Sequence, residues 1–126
     1  IVSAMAGTHG NAIHVSNALT AIYLATGQDT ACVAENSIGH FTIEKIDDGI
    51  TWRLTLPSLT VGTVGGGTRL NQQQQNLQLL GCDNGEHTSR KLAEIIAAAA
   101  LGLEISLGSA IMSHTWTSAH MKYGRK

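Results

Sequence analysis

The chain has 126 residues, with eight Lys and Arg against nine Asp and Glu, enough material for one domain. That balance gives no global pull toward nucleic acid or an anionic membrane. Only 13% of residues are charged and 4% aromatic, while glycine occurs 14 times; this suits close helix packing, ligand loops and a face set against another subunit. Cys32 and Cys82 stand far apart without metal-ligand spacing, and read as small buried residues in a reducing compartment. The longest apolar run, residues 95–103, is ended by Glu104 and is too short to span a bilayer. No basic-then-apolar leader opens the chain. It begins on Ile1 within an apolar stretch and reads as an internal piece of something longer.

In chain order, residues 13–25 carry a helical pattern of apolar positions, closed by Gly27, which takes the left-handed cap conformation without steric cost. Asp29 is a good N-cap for a short helical continuation over residues 29–35. Residues 41–46 and 50–56 alternate apolar with polar, and Asp47, Asp48 and Gly49 between them are hairpin chemistry. Pro57 ends the second strand. Residues 60–68 form a glycine-dominated loop, and residues 69–80 a short helix with Leu70, Leu77 and Leu80 on one stripe. After a turn at residues 83–86, the pattern is helical from Ser89 through Leu103 and resumes from Glu104 to Ala119, either bent at Gly102 or as two abutting helices.

Residues 61–68, Val-Gly-Thr-Val-Gly-Gly-Gly-Thr, are the most distinctive run. Consecutive glycines cost backbone entropy, and a chain keeps them where its backbone approaches something closely or its N–H groups cradle an anion. The run is neither a Walker A loop nor a dinucleotide fingerprint, and a plain surface loop is an equal reading of the pattern. His14 and Asn17, three apart, share a helix face, where a hydrogen-bonded pair at a helix contact is the simpler reading. Asp29 lies about 22 Å further along if the helix is straight, so the two can serve one site only if the helix breaks at Gly27 or the ligand is long. Glu104 and Ser106 interrupt a very apolar helix and need partners if buried. His120 sits with Lys122, Arg125 and Lys126 in the one locally basic patch, as a general acid or as a surface residue.

Together these pieces resemble 3-hydroxy-3-methylglutaryl-coenzyme A (HMG-CoA) reductase over nearly the whole chain. Pro57-Ser58 followed by residues 61–68 is similar to the family's glycine run. Residues 21–29, Ala-Ile-Tyr-Leu-Ala-Thr-Gly-Gln-Asp, look like the segment holding its catalytic aspartate. Residues 91–95 and 104–107 resemble its following helix, and His120-Met121 stands at the spacing of its catalytic histidine. The resemblance implies that Asp29 belongs to the catalytic network and that His120 protonates the departing coenzyme A thiolate. It implies that His14, Asn17 and Ser106 contact the substrate or its coenzyme A part, and that Gly65, Gly66, Gly67 and Arg125 lie where the cofactor, NADPH, is approached. The implied reaction reduces HMG-CoA to mevalonate and free coenzyme A in successive hydride transfers, a step of the mevalonate path to isoprenoid precursors. The sequence departs from the family's pattern at Leu103, at His114-Thr115-Trp116 and at Gly124, which bears on the cofactor contacts more than on Asp29 or His120.

The expectation is an α+β fold: a long helix, a β-hairpin, the glycine loop, then Ala-rich helices. Residues 1–126 are expected to be the C-terminal part of the reductase catalytic domain, with the family's catalytic glutamate, catalytic lysine and small cofactor domain upstream. By itself the chain is expected to be inactive. The parent is expected to be a cytoplasmic, soluble prokaryotic-type homo-oligomer with sites shared between subunits, an upstream membrane anchor being left open. No nucleic-acid partner and no membrane contact are expected from this segment. The rival readings are a non-catalytic module that binds coenzyme A or another phosphorylated ligand through the glycine loop, and a structural oligomerisation domain.

Overall fold

A computed structural model describes the backbone of residues 12–123 and the side chains of residues 12–111. The elements run α1 (Val15–Thr26), a 3-10 turn (Thr30–Cys32), α2 (Val33–Asn36), β1 (His40–Ile46), β2 (Gly49–Thr55), a 3-10 turn (Gly66–Arg69), α3 (Asn71–Leu79) and α4 (Thr88–Tyr123). This is the mixed helical and antiparallel α+β architecture that the sequence predicts.

The core lies where α1 crosses α4, with α3 closing one side. Val15, Ala18, Leu19 and Tyr23 fall three and four apart along α1, so their side chains share one face and are buried there. They meet Leu92, Ile96 and Ala100, spaced by four along α4, together with Leu77 of α3 and Cys82 just after it. Each fully buried Leu or Ile contributes about 1.5–3 kcal/mol by leaving water, so this small cluster outweighs any surface charge pair in the fold. The stripe on α4 continues one turn further to Glu104, which is 3% exposed. An apolar face thus ends in a buried carboxylate.

The hairpin is a two-stranded ribbon in the register Phe41↔Leu54, Ile43↔Trp52 and Ile46↔Gly49. That leaves Asp47 and Asp48 as the turn, and Asp47 takes φ 50, a conformation Asp tolerates better than most side chains. Alternation puts Phe41, Ile43, Trp52 and Leu54 on one face. A ribbon of two strands is marginal unless that face is covered. Leu54 packs against the core, and the Trp52 ring lies over Gly108 of α4, 3.5 Å from where a Cβ would stand. Phe41 and Trp52 meet diagonally, with ring centroids 5.6 Å apart.

Three expectations change. α4 is one continuous helix of 36 residues, about 54 Å long, with neither a bend nor a break assigned at Gly102. Packing against α1 on both sides of Gly102 offsets the roughly 1 kcal/mol that a mid-helix glycine costs. Within it Thr88–Ile111, 24 residues containing an 18-residue window of mean hydropathy 1.6, is long and apolar enough to cross a membrane by length and composition, which corrects the expectation that the apolar part of this segment is too short to span a bilayer. A core helix has the same length and composition, and Leu92, Ile96 and Ala100 of this one are core residues. In α3 the expected leucine stripe is partial: Leu77 is buried, while Leu70 precedes the helix and is 60% exposed.

Candidate functional site

The C-terminal end of α1 is where the glycine loop touches down. Gly27 ends the helix at φ 76, and the amide of Gln28 donates back to the carbonyl of Tyr23 at 2.9 Å. The backbones of Gly27 and Gly67 press together: a Cβ on Gly27 would stand 2.3 Å from the Gly67 carbonyl oxygen, and one on Gly67 3.0 Å from that of Gly27. Gly27 therefore excludes a side chain, and Gly67 admits one only if the Gly27 backbone gives way by a few tenths of an ångström. Gly65 and Gly66 have φ 81 and 54, and Cβ atoms built on them meet nothing within 4 Å. The loop is pinned at Gly67 and open at the two glycines before it.

Asp29 is exposed in the turn that follows. Its Oδ1 accepts the Ala31 amide at 2.9 Å, capping the 3-10 turn as the sequence predicts, and its Oδ2 accepts from the Cys32 thiol at 3.8 Å. Burial first, and then the charges of Asp29 and Glu35, push the Cys32 thiol above its ordinary pKa. Asp29 lines a cleft of about 390 Å³ with Tyr23, Gly27, Thr30, Gly66 and Gly67. The structure thus brings together Asp29 and two of the three glycines singled out from the sequence.

A polar network behind Asp29 fixes the strand-to-loop segment. The Tyr23 hydroxyl donates to the Thr60 carbonyl at 2.8 Å, and Asn36 Nδ2 donates to both Tyr23 Oη and Thr60 Oγ1 at 2.8 Å. The Gln28 amide pairs with the backbone of Gly62 at two points: Nε2 donates to its carbonyl at 2.7 Å, and Oε1 accepts its N–H at 2.8 Å. Burial raises the Tyr23 pKa, with the Asn36 bond opposing it. Sequence reasoning singled out none of Tyr23, Gln28, Asn36 or Thr60 as site-forming. Gln28 had a local signal, since it stands between a glycine cap and the candidate Asp29; Asn36 and Thr60 meet only through the fold.

The other end of α1 holds His14 and Asn17. His14 is the N-cap residue, but its side chain makes no cap bond. That role falls to Glu104, whose Oε1 accepts the Ile13 amide at 2.9 Å and also the His14 amide. A carboxylate at a helix N-terminus satisfies free N–H groups and complements the helix dipole. His14 Nδ1 is buried and has no hydrogen-bond partner among the described residues. His14 and Asn17 line an apolar groove of about 580 Å³ with Ala18, Ala21, Ala99 and Leu103. Ser106 is exposed and outside that lining. The 12 residues of α1 separate His14 from Asp29 by about 18 Å, so the break at Gly27 does not bring them together. The His120 side chain and Arg125 lie outside the described residues. Among the described residues no three His, Cys, Asp or Glu side chains gather to hold a metal ion.

Comparison with known proteins covers nearly the whole chain. The sequence pattern of the hydroxymethylglutaryl-coenzyme A reductase family matches residues 1–125. A 3-hydroxy-3-methylglutaryl-coenzyme A reductase of Methanocaldococcus jannaschii is 43% identical over 125 residues, 99% of this chain and 31% of that protein. One of Aeropyrum pernix is 46% identical over 127 residues, 98% of this chain and 30% of that protein. A cotton homologue, from Gossypium hirsutum, is 46% identical over 132 residues, 98% of this chain and 21% of that protein. The chain spans about a third or less of the length of these relatives. It belongs to the hydroxymethylglutaryl-coenzyme A reductase family.

Proposed function

We propose that this chain is the C-terminal part of the catalytic domain of a longer, homo-oligomeric reductase that converts HMG-CoA to mevalonate and coenzyme A with NADPH. The observation that carries the reading is the shared cleft: Asp29 and the glycines 66 and 67, far apart in sequence, line one cavity at the end of α1. The open backbone at Gly65 and Gly66 fits a group laid against the loop, because nothing stands where their side chains would be. Gly65, Gly66, Gly67 and Arg125 are the residues we assign to the nicotinamide cofactor, which supplies hydride when bound. Asp29 offers a fixed negative charge at the cleft, able to orient the donor or cation that a developing oxyanion needs. His120 is assigned the proton for the leaving thiolate, a task suited to a group that titrates near neutral pH. His14, Asn17 and Ser106 are assigned to the substrate and its coenzyme A part, the length of that ligand accounting for a distance of about one helix between them and Asp29.

The test is Asp29→Asn in the full-length parent. Asn caps a helical turn about as well as Asp, so the fold is retained while the charge is lost. Steady-state turnover should fall by at least about a hundredfold. An active Asn variant would reduce Asp29 to a cap.

A further inference from the structure

We propose that Gln28 is a positioning residue that sets the glycine loop against Asp29; the inference rests on the reading of that cleft as the reductive site. The loop is an arch with two feet on the end of α1. One foot is the Gly27–Gly67 backbone contact, too close for a side chain on Gly27. The other is Gln28, whose amide pairs with the N–H and the carbonyl of Gly62 at 2.8 and 2.7 Å, as a neighbouring strand would. Among side chains of this length in their ordinary neutral-pH forms, a primary amide is the one that both donates and accepts from one planar group, so Gln28 serves both backbone polar groups of Gly62.

The Tyr23–Asn36–Thr60 bonds hold the chain two residues before Gly62, and the Thr63 hydroxyl meets that of Thr88 at 2.7 Å. The segment is thus supported on both sides of Gly62, and the loop keeps its place on the core without Gln28. What Gln28 adds is registry. It is the residue directly before Asp29, so a shift of its side chain changes the offset between the carboxylate and the arch with little effect on packing. Offsets of about an ångström between reacting groups are worth up to about a hundredfold in rate.

The experiment uses the full-length parent and two variants. Gln28→Met keeps the length and removes both hydrogen bonds to Gly62, along with the longer one, 3.3 Å, that Nε2 donates to the Thr26 carbonyl. Gln28→Glu keeps the acceptor but sets a charged oxygen against the Gly62 carbonyl. Three quantities are read: hydrogen exchange at the Gly62 amide, kcat/KM for the nicotinamide cofactor, and KM for the thioester. Gln28→Met should speed exchange at Gly62 and lower cofactor kcat/KM by about ten- to a hundredfold. KM for the thioester, whose assigned contacts lie at the other end of α1, should stay within about twofold. Gln28→Glu should recover activity relative to wild type as pH falls toward about 4.3, because a protonated carboxyl donates and accepts as the amide does.

Faster exchange at Gly62 with wild-type cofactor kcat/KM would overturn the proposal, as would equal losses on both substrates. If Met at 28 prevents folding, the pH recovery of the Glu variant decides alone, and its absence counts against the proposal. An active Asp29→Asn variant removes the site reading itself, whereas an inactive one beside a normal Gln28→Met removes only the positioning role.

Discussion

Gly27→Ala, set against Gly66→Ala, isolates the energy of the contact on which the cleft depends. Both glycines have positive φ, 76 and 54, so alanine at either pays roughly 1–2 kcal/mol of left-handed strain. At Gly66 that is the whole cost, since the added methyl meets nothing within 4 Å. At Gly27 the methyl falls 2.3 Å from a carbonyl oxygen and 2.7 Å from the Thr68 nitrogen. These are backbone atoms, which have no rotamer to move away by, so the loop itself must lift. Forcing an extra methyl into a filled site costs about 1–3 kcal/mol further. Gly27→Ala should therefore destabilise the parent protein by about 2–5 kcal/mol and Gly66→Ala by about 1–2. The assay is equilibrium denaturation followed to full unfolding, comparing midpoints at a common m-value. Equal losses at the two positions would refute the close approach of Gly27 to Gly67, and with it the account of how the arch is held.

Glu104→Ala should cost about 3 kcal/mol, because it strands the Ile13 and His14 amides that the carboxylate accepts, and Glu104→Gln, which keeps an acceptor, should cost less; denaturation midpoints that rank the two the other way refute the capping role. Asp29→Asn should accelerate alkylation of Cys32 near neutral pH, since removing that charge lowers the thiol pKa, although burial, the larger cause, keeps it slower than a free thiol. Peptide mass spectrometry after timed iodoacetamide treatment reads the rate, and no change would place the thiol away from the carboxylate. Tyr23 has its folded pKa raised above 10.0, so its contribution to stability is intact below that pH and is lost as pH rises through the folded value. Wild type should lose stability above about pH 10 more steeply than Tyr23→Phe, and parallel curves would refute the assignment.

Local rules in the sequence determined a good deal. The left-handed cap at Gly27, the Asp29 N-cap, the Asp47-Asp48 hairpin turn and the helical periods of α1 and α4 each depend on a few neighbouring residues, and each stands in the structure as read. The family was legible too, because its glycine run and its Gly-Gln-Asp segment are contiguous. Tertiary structure alone decided which candidates share a surface. Asp29 meets Gly66 and Gly67 because two backbones without side chains can approach to contact, a long-range event that no period along the chain encodes. His14 and Asn17 line a groove at the far end of α1, since 12 residues of helix hold the ends apart. Glu104 reads in sequence as an interruption of an apolar helix. Only the crossing of α1 over α4 turns it into the N-terminal cap of a helix about ninety residues upstream, where free amide donors and a buried carboxylate each meet a need that their own segment leaves unmet.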